Sequence, residues 1–160
     1  EGAQVSILMG SPSDWPTMQR CSKVLSEFEI LHESNAISAH RSSSRLHRYM
    51  EEAEERNVEI FICGAGGAAH LAGVVASQTI RPVLACPMVG WSLDGLDSLL
   101  STVQMPKGIP VATFAIGGAG ATNAGYFAVQ LLASTNSGLT EKLKDVREEA
   151  GKFLGPLPEN

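Results

Sequence analysis

The sequence predicts an α/β protein in which a doubly wound parallel sheet is covered by helices on both faces. Short apolar runs rich in Val and Ile recur along the chain and alternate with segments of helical periodicity. Most of these runs are continuously apolar, which is typical of strands buried on both sides. The chain has 160 residues, 44% of them hydrophobic, so we expect one domain over 1–160 with a sizeable core.

Each predicted strand is followed by a predicted helix. The strands lie at 5–9, 30–37, 59–63, 82–86 and 110–116, and the second is the least apolar. Segment 121–134 is apolar nearly all round, so it is expected to be buried and would suit a subunit contact; an amphipathic helix follows at about 138–153. The apolar positions that share a helix face are Met18, Cys21, Leu25 and Phe28; Leu46, Met50 and Ala53; Leu71, Val74 and Val75; and Leu96, Leu99, Leu100 and Val103.

Composition excludes several classes of protein. The net charge of -5 argues against a broad nucleic-acid surface, although it allows a local basic pocket for one phosphate. No run approaches the roughly 20 apolar residues of a membrane span, and the start of the chain does not resemble a signal peptide. Cys21, Cys63 and Cys86 are far apart without a CxxC pair, so we expect buried, reduced thiols and a cytoplasmic protein.

The loop after the first predicted strand carries short polar side chains, and ligands of such sheets bind at the carboxyl ends of the strands. Gly10 permits a sharp turn, and Ser11, Ser13 and Asp14 precede a helix. Ser13 or Asp14 is expected to cap that helix. Ser11 is then left for a phosphate or ribose, which free amides at a helix start also favour.

The next two loops each carry a histidine. In "SAHRSSS", Ser42 or Ser43 is expected to cap the following helix, and His40 is more often structural than catalytic when considered alone. The helix dipole disfavours Arg41 at this position, which indicates a compensating anion. In "GAGGAAHLAG", the G-x-G-x-x-A pattern imitates a dinucleotide fingerprint, but the next strand lacks its acidic residue. His70 lies where the following helix begins.

No histidine spacing typical of a metal site is present, so no metal is expected. Trp91, in the glycine-containing loop after the fourth strand, is either a lid or simple surface packing. The polar residues therefore predict a small anion-binding pocket with one or two histidines.

Several motifs together resemble the 5-(carboxyamino)imidazole ribonucleotide mutase family of purine biosynthesis. They are "GSPSDW", "SAHR", "GAGGAAHLAG", "DSLLSTVQMPKGIPVAT" and "ATNAG", and the resemblance runs from about Val5 to Ala133. It implies a three-layer α/β/α sandwich of flavodoxin-like type, a homo-octamer with sites near subunit contacts, and no cofactor. The implied reaction moves a carboxylate from the exocyclic nitrogen of an aminoimidazole ribonucleotide to ring carbon 4 through carbon dioxide.

The resemblance also implies roles for residues of the three loops. Ser11 and Asp14 would contact the ribose and phosphate, and Arg41 the 5′-phosphate. His40 would move the proton, with Ser38 beside it and His70 orienting the carboxylate. The implied catalytic residues are Ser38, His40 and His70, and the implied substrate-binding residues are Ser11, Asp14, Ala39, Arg41, Gly66, Ala68 and Leu71.

Three alternatives stay open. The "GAGGAAH" loop resembles the mutase branch of the family, but a second branch carboxylates aminoimidazole ribonucleotide directly with free carbon dioxide. Nicotinate-type nucleotide carboxylases contain a similar domain after an extra N-terminal region, and a silent nucleotide-binding module is the remaining alternative. The chain departs from the family pattern at Ser42-Ser43, Ala72, Gln78 and Gly118, none of them a proposed catalytic position.

Overall fold

The strands form one parallel sheet. The computed structural model of the chain describes residues 2–152, 155, 156 and 158. The strands are β1 (Val5–Met9), β2 (His32–Ala36), β3 (Ile60–Ala65), β4 (Val83–Pro87) and β5 (Ala112–Thr113). Their order in the sheet is β2-β1-β3-β4-β5, which is the flavodoxin-like arrangement. The predicted doubly wound α/β fold is therefore confirmed.

Helices connect the strands and follow the last one. The C-terminal helix begins at Ser137 and ends at Gly151, close to the predicted 138–153, of which residue 153 lies outside the described residues. A single 3-10 turn, Pro12–Asp14, precedes the first helix. The helices are α1 (Trp15–Glu27), α2 (Ser43–Glu55), α3 (Leu71–Ala76), α4 (Leu96–Val103), α5 (Gly118–Ala133) and α6 (Ser137–Gly151).

Alternate residues of the central strands face two separate cores. Val5 and Ile7 of β1 pack with side chains of α1 and α5, whereas Leu8 packs with those of α2 and α3. Strands β1 and β4 are buried along their whole length, which explains why their sequences are apolar except at Ser6, whose hydroxyl is hydrogen-bonded to that of Tyr49. The predicted three-layer arrangement follows from this division.

The fifth strand is much shorter than predicted. Residues 110–116 were expected to be extended, but only Ala112 and Thr113 pair with β4. Pro110 lacks an N–H group, so it cannot donate to a ladder at the start of the segment. Beyond Thr113, single bonds continue from the Phe114 amide to the Ala85 carbonyl (2.9 Å) and from the Gly117 amide to the Pro87 carbonyl (2.8 Å).

Helix α4 lies where the sequence predicts it, but its apolar face points outward. Leu96, Leu100 and Val103 are 51%, 49% and 43% exposed, whereas Ser98 and Thr102 are buried. The buried hydroxyls are bonded to the main chain of neighbouring loops, which offsets the cost of burying them. Periodicity identified the apolar face of this helix, but not which face meets the rest of the protein.

The expectation of buried, unbridged thiols is confirmed. Cys21, Cys63 and Cys86 are all buried and free. Burial raises the pKa of the Cys86 thiol to about 11 and that of Cys21 to about 12, because the thiolate is disfavoured away from water. Within the described residues, no helix has both the length and the apolar composition that crossing a membrane requires.

Candidate active site

A cavity of about 630 Å³ opens at the carboxyl ends of β1, β2, β3 and β4. The order of the sheet reverses between β1 and β3, and the loops after these two strands both line the cavity. Ligands of doubly wound sheets bind at such a point. All the residues that the sequence singled out line this one cavity: Ser11, Asp14, Ser38, Ala39, His40, Arg41, Gly66, Ala68, His70 and Leu71.

The loop after β1 is held by a capping box formed by Ser11 and Asp14. The Ser11 hydroxyl accepts from the Ser13 amide (3.3 Å), and the Asp14 carboxylate accepts from the Ser11 amide (3.2 Å). Asp14 occupies the predicted N-cap position of α1 but makes no side-chain cap bond there, and Ser11 rather than Ser13 caps the 3-10 turn that precedes the helix. Burial raises the pKa of Asp14, and the bond from the Ser11 amide opposes that shift.

Ser38 positions Arg41 in the loop after β2. The Ser38 hydroxyl oxygen accepts from the Arg41 amide (3.1 Å) and from Arg41 Nε (3.3 Å), while Arg41 Nη2 donates to the Gly10 carbonyl (3.2 Å). The guanidinium group thereby bridges the first two loops. The Ser38 proton stays available to a ligand, because this hydroxyl accepts in both contacts.

The predicted cap of α2 by Ser42 or Ser43 does not form. The helix begins at Ser43, and Ser42 makes no side-chain bond to its first turn. The backbone at Ser42 has φ -144° and ψ 46°, and its amide instead donates to the Ser38 carbonyl at 2.9 Å. The local turn is therefore organised around Ser38, which the capping rule does not identify.

The loop after β3 consists of small residues up to His70. Gly67 has φ +61°, a backbone conformation that favours glycine. A Cβ atom there would also lie only 2.7 Å from the Trp91 ring, so a larger residue would clash. Trp91 is 83% exposed, but it packs on Gly67 and lines the cavity. The interpretation of Trp91 as surface packing is confirmed by its contact with Gly67, and its role as a lid stays a prediction.

The two histidine side chains meet at the cavity. His40 Nε2 lies 2.8 Å from His70 Nδ1, and the rings are nearly perpendicular at 80°. One nitrogen donates and the other accepts, so the bond couples the tautomers of the two rings. The described residues contain no group of three or more His, Cys, Asp or Glu side chains placed to hold a metal ion.

The loop after β4 supplies part of the lining that sequence reasoning missed. Met88, Val89 and Gly90 line the cavity beside Trp91, and a Cβ on Gly66 would lie 3.3 Å from that of Met88. These residues carry no polar side chain, so no chemical signal distinguished them. Their position follows from the pairing of β3 with β4, which places the ends of these strands side by side.

Three hydroxyls of α4 lie behind the loops of the cavity, and we call Ser98, Ser101 and Thr102 the hydroxyl row. The Ser101 oxygen accepts from the Ala69 amide (2.9 Å), and the Thr102 hydroxyl donates to the Ala69 carbonyl (3.3 Å). The Ser98 hydroxyl donates to the Met88 carbonyl at 2.6 Å. In the sequence these three residues stand out only as part of the motif "DSLLSTVQMPKGIPVAT".

Comparisons with known proteins agree on the family and the fold of the chain. A protein from Pyrococcus abyssi named N5-carboxyaminoimidazole ribonucleotide mutase is 52% identical, with 91% of this chain and 83% of that protein covered. One of the same name from Haemophilus influenzae is 47% identical, with 98% and 96% covered. A crystal structure of Treponema denticola PurE is similar with a TM-score of 0.84 and 26% identity, over 92% of this chain and 91% of that one.

The family model described as AIR carboxylase matches residues 4–152, which include every loop of the cavity. With relatives of about half-identical sequence over nearly the whole chain, the protein belongs to the AIR carboxylase family.

Proposed function

We propose that the protein is an N5-carboxyaminoimidazole ribonucleotide mutase of purine biosynthesis, which moves a carboxylate from the exocyclic nitrogen to carbon 4 of the imidazole. The observation that carries this proposal is the contact between His40 Nε2 and His70 Nδ1 at the edge of a cavity that also holds Arg41. The names of the relatives from Pyrococcus abyssi and Haemophilus influenzae support the same activity.

The binding part of the proposal rests on the first two loops. Arg41 is fixed by the Gly10 carbonyl and by Ser38, so its guanidinium can pair with the 5′-phosphate without a large loss of side-chain freedom. Ser11 and Asp14 lie in the adjoining turn and suit the hydroxyls of the ribose. Ala39, Gly66, Ala68 and Leu71 supply small or apolar surface around the base.

The histidine contact supports one arrangement of protons. His40 donates from Nε2 to His70 Nδ1, and His40 Nδ1 then alternates between protonated and free forms. His70 in this arrangement carries its proton on Nε2 and donates it to the carboxylate. Histidine is a side chain that can both give up and take up a proton near neutral pH.

The reaction then needs one proton in each direction. The carbamate C–N bond breaks, its electron pair stays on nitrogen, and His40 Nδ1 protonates that nitrogen while carbon dioxide is released. The enamine of the aminoimidazole forms a new C–C bond from carbon 4 to the same carbon dioxide. The proton on carbon 4 returns to His40 Nδ1, so the ring regains aromaticity and no proton is consumed. Small residues around the cavity keep the carbon dioxide close.

Direct carboxylation of aminoimidazole ribonucleotide by free carbon dioxide is the second candidate, because the matching family model is described as AIR carboxylase. The experiment supplies substrate with ¹³C in the carbamate and unlabelled bicarbonate in excess. A mutase gives product whose 4-carboxylate retains most of the ¹³C. A product without label supports the direct carboxylase. The absence of product, both from this carbamate and from aminoimidazole ribonucleotide with bicarbonate, overturns both proposals.

The proposal extends to assembly and location. We propose a homo-octamer, supported by exposed apolar side chains that continue from the edge of the cavity onto α4. We call these the apolar patch: Val89, Trp91, Leu93, Leu96, Leu100 and Val103. Contiguous exposed apolar surface marks interaction sites.

The three free, buried thiols support a cytoplasmic location. The net charge of -5 favours a small-molecule substrate over nucleic acid.

A further inference from the structure

The loop that presents His70 has few means of holding its own shape. Residues 66–69 are Gly-Gly-Ala-Ala, so their side chains end at Cβ or are absent. The segment's own side chains therefore cannot determine its path, and its main-chain hydrogen bonds must hold it in place beside the Trp91 and Met88 side chains that it contacts. The proposed reaction needs His70 within hydrogen-bond distance of His40, so a displacement of this loop by about 1 Å would lower the rate.

The hydroxyl row supplies bonds at the required position. Ala69 is 1% exposed, and both polar groups of its main chain are held by α4: the amide by Ser101 and the carbonyl by Thr102. That carbonyl belongs to the peptide immediately before His70. On the other side of this peptide bond, the His70 amide donates to the Ala68 carbonyl at 2.9 Å.

The direction of the Ser101 bond is determined by its own helix. Its hydroxyl lies 2.7 Å from the Asp97 carbonyl, whereas the Gly67 and Ser98 carbonyls are both at 3.3 Å. A hydroxyl has one proton, so the shortest contact identifies Asp97 as its acceptor. The oxygen lone pairs then face the Ala69 amide, and the bond length of 2.9 Å is ordinary for N–H···O.

Ser98 extends the same support to the loop after β4. Its bond to the Met88 carbonyl holds a residue that packs against Gly66 at the opposite end of the small-residue segment. These bonds explain why α4 buries Ser98 and Thr102 and leaves its apolar face exposed.

We propose that Ser101 and Thr102 are positioning residues for the reaction, holding the peptide before His70 so that its ring meets His40. This inference rests on the proposed function and adds residues that do not line the substrate cavity. They act on the rate of the chemical step and leave binding by Arg41 unchanged, because Arg41 is held by Gly10 and Ser38 instead.

The test compares Thr102→Val, which removes the hydroxyl at nearly constant volume, with Thr102→Ser, which retains it. Ser101→Ala is the second variant. Thr122→Val is the matched control, since among the described residues the Thr122 hydroxyl bonds only within α5, to the Gly118 carbonyl at 3.0 Å. We expect kcat to fall about tenfold or more in Thr102→Val and Ser101→Ala, with KM within about twofold of wild type. Thr102→Ser and Thr122→Val should stay within about threefold of the wild-type kcat.

A second measurement needs no substrate. NMR of the imidazole nitrogens reports the His40–His70 bond through the tautomers of both rings, and hydrogen exchange reports the amides of 66–70. We expect Ser101→Ala to alter the tautomer signals and to speed exchange of this segment, whereas Thr122→Val changes neither. Unchanged signals, or a kcat unchanged in Ser101→Ala and Thr102→Val, would overturn the inference. A failure of the proposed function can be distinguished from a failure of this inference. In that case the wild-type protein is inactive as a mutase, but Ser101→Ala still alters the tautomer signals and the exchange of residues 66–70.

Discussion

At the scale of single residues, the cavity separates chemistry from binding. His40 contacts His70, whereas the neighbouring Arg41 is held by the Gly10 carbonyl of the loop after β1 and by the Ser38 hydroxyl of its own loop. The two side chains are adjacent in sequence, but they have no partner in common among the bonds just described. Substitutions at these two positions should therefore change different kinetic constants.

We expect His40→Asn to lower kcat by about 10²–10⁴-fold with little change in nucleotide binding, because an amide cannot move the proton. Arg41→Ala should instead raise KM by about tenfold or more, through loss of a charge-assisted bond. Steady-state kinetics and titration with aminoimidazole ribonucleotide measure both effects. His47→Asn is the control, since His47 bonds Gln78 outside the cavity. Near-normal turnover of His40→Asn would refute its role.

Asp14 gives the stability of the protein a pH dependence of known sign. Its pKa is raised from 3.8 by burial, so the folded protein binds this proton more tightly than the unfolded chain does. The associated stability is complete below pH 3.8 and is lost as the pH rises through the raised pKa.

We expect Asp14→Asn to lack this loss of stability, because an amide does not ionise. The unfolding free energy of the variant, relative to that of wild type, should therefore increase as the pH rises. Urea unfolding at a series of pH values between about 3.5 and 7 measures the gap. Asp145→Asn, at an exposed position of α6, is the control. A gap that does not depend on pH would show that Asp14 has no such effect.

At the scale of elements, small residues allow α5 to approach the rest of the fold. A Cβ atom on Gly125 would lie 3.1 Å from the Cys21 Cα atom of α1. At the start of α5 a Cβ on Gly120 would lie 1.6 Å from the Ala115 carbonyl oxygen. The apolar character of α5 is thus largely accounted for by contacts inside the protomer, since its small residues are mostly buried there.

We expect Gly120→Ala to lower the unfolding free energy by about 3 kcal/mol or to prevent folding, because main chain rather than a flexible side chain would have to move. Gly151→Ala provides the control, since no atom of the described residues lies within 4 Å of its Cβ position. That variant should stay within about 0.5 kcal/mol of wild type. Urea denaturation of both proteins measures the difference. Equal stability of the two variants would contradict the close approach at Ala115.

At the scale of the whole molecule, the apolar patch joins the cavity to the outer surface of α4. Trp91 and Val89 belong to both, so a subunit packed on the patch would also border the site. This geometry supports the expectation that sites of this family lie near subunit contacts.

We expect Leu100→Asp to dissociate the proposed octamer at micromolar concentration, because a carboxylate would have to be desolvated in the interface. Leu31→Asp is the matched control, since Leu31 is 47% exposed against 49% for Leu100 and lies outside the patch. Sedimentation analysis with light scattering measures the mass. The interface would be misassigned if Leu100→Asp kept the wild-type mass, and the octamer itself would be wrong if wild type were smaller than eight protomers.

Much of the architecture was predictable because the relevant signals are local. The largely apolar runs of β1 and β4 identified buried strands, and glycines and short polar residues identified the loops after them. The short β5 and the exposed face of α4 were not predictable, because edge position and helix orientation depend on neighbours distant in sequence. The capping side chains were not predicted either. Ser11 rather than Ser13 caps the 3-10 turn before α1, and in the next loop the Ser38 hydroxyl rather than that of Ser42 accepts a backbone hydrogen bond.

By itself the sequence determined the order of strands and helices and the loops that meet in the cavity, since periodicity and turn chemistry act within a few residues. Only the tertiary structure decided that His40 lies within hydrogen-bond distance of His70, thirty residues away, and that the hydroxyls of α4 hold Ala69. Such contacts depend on the pairing of strands and on which helix face turns inward. Both are consequences of packing the whole chain, so no single segment of the sequence contains them.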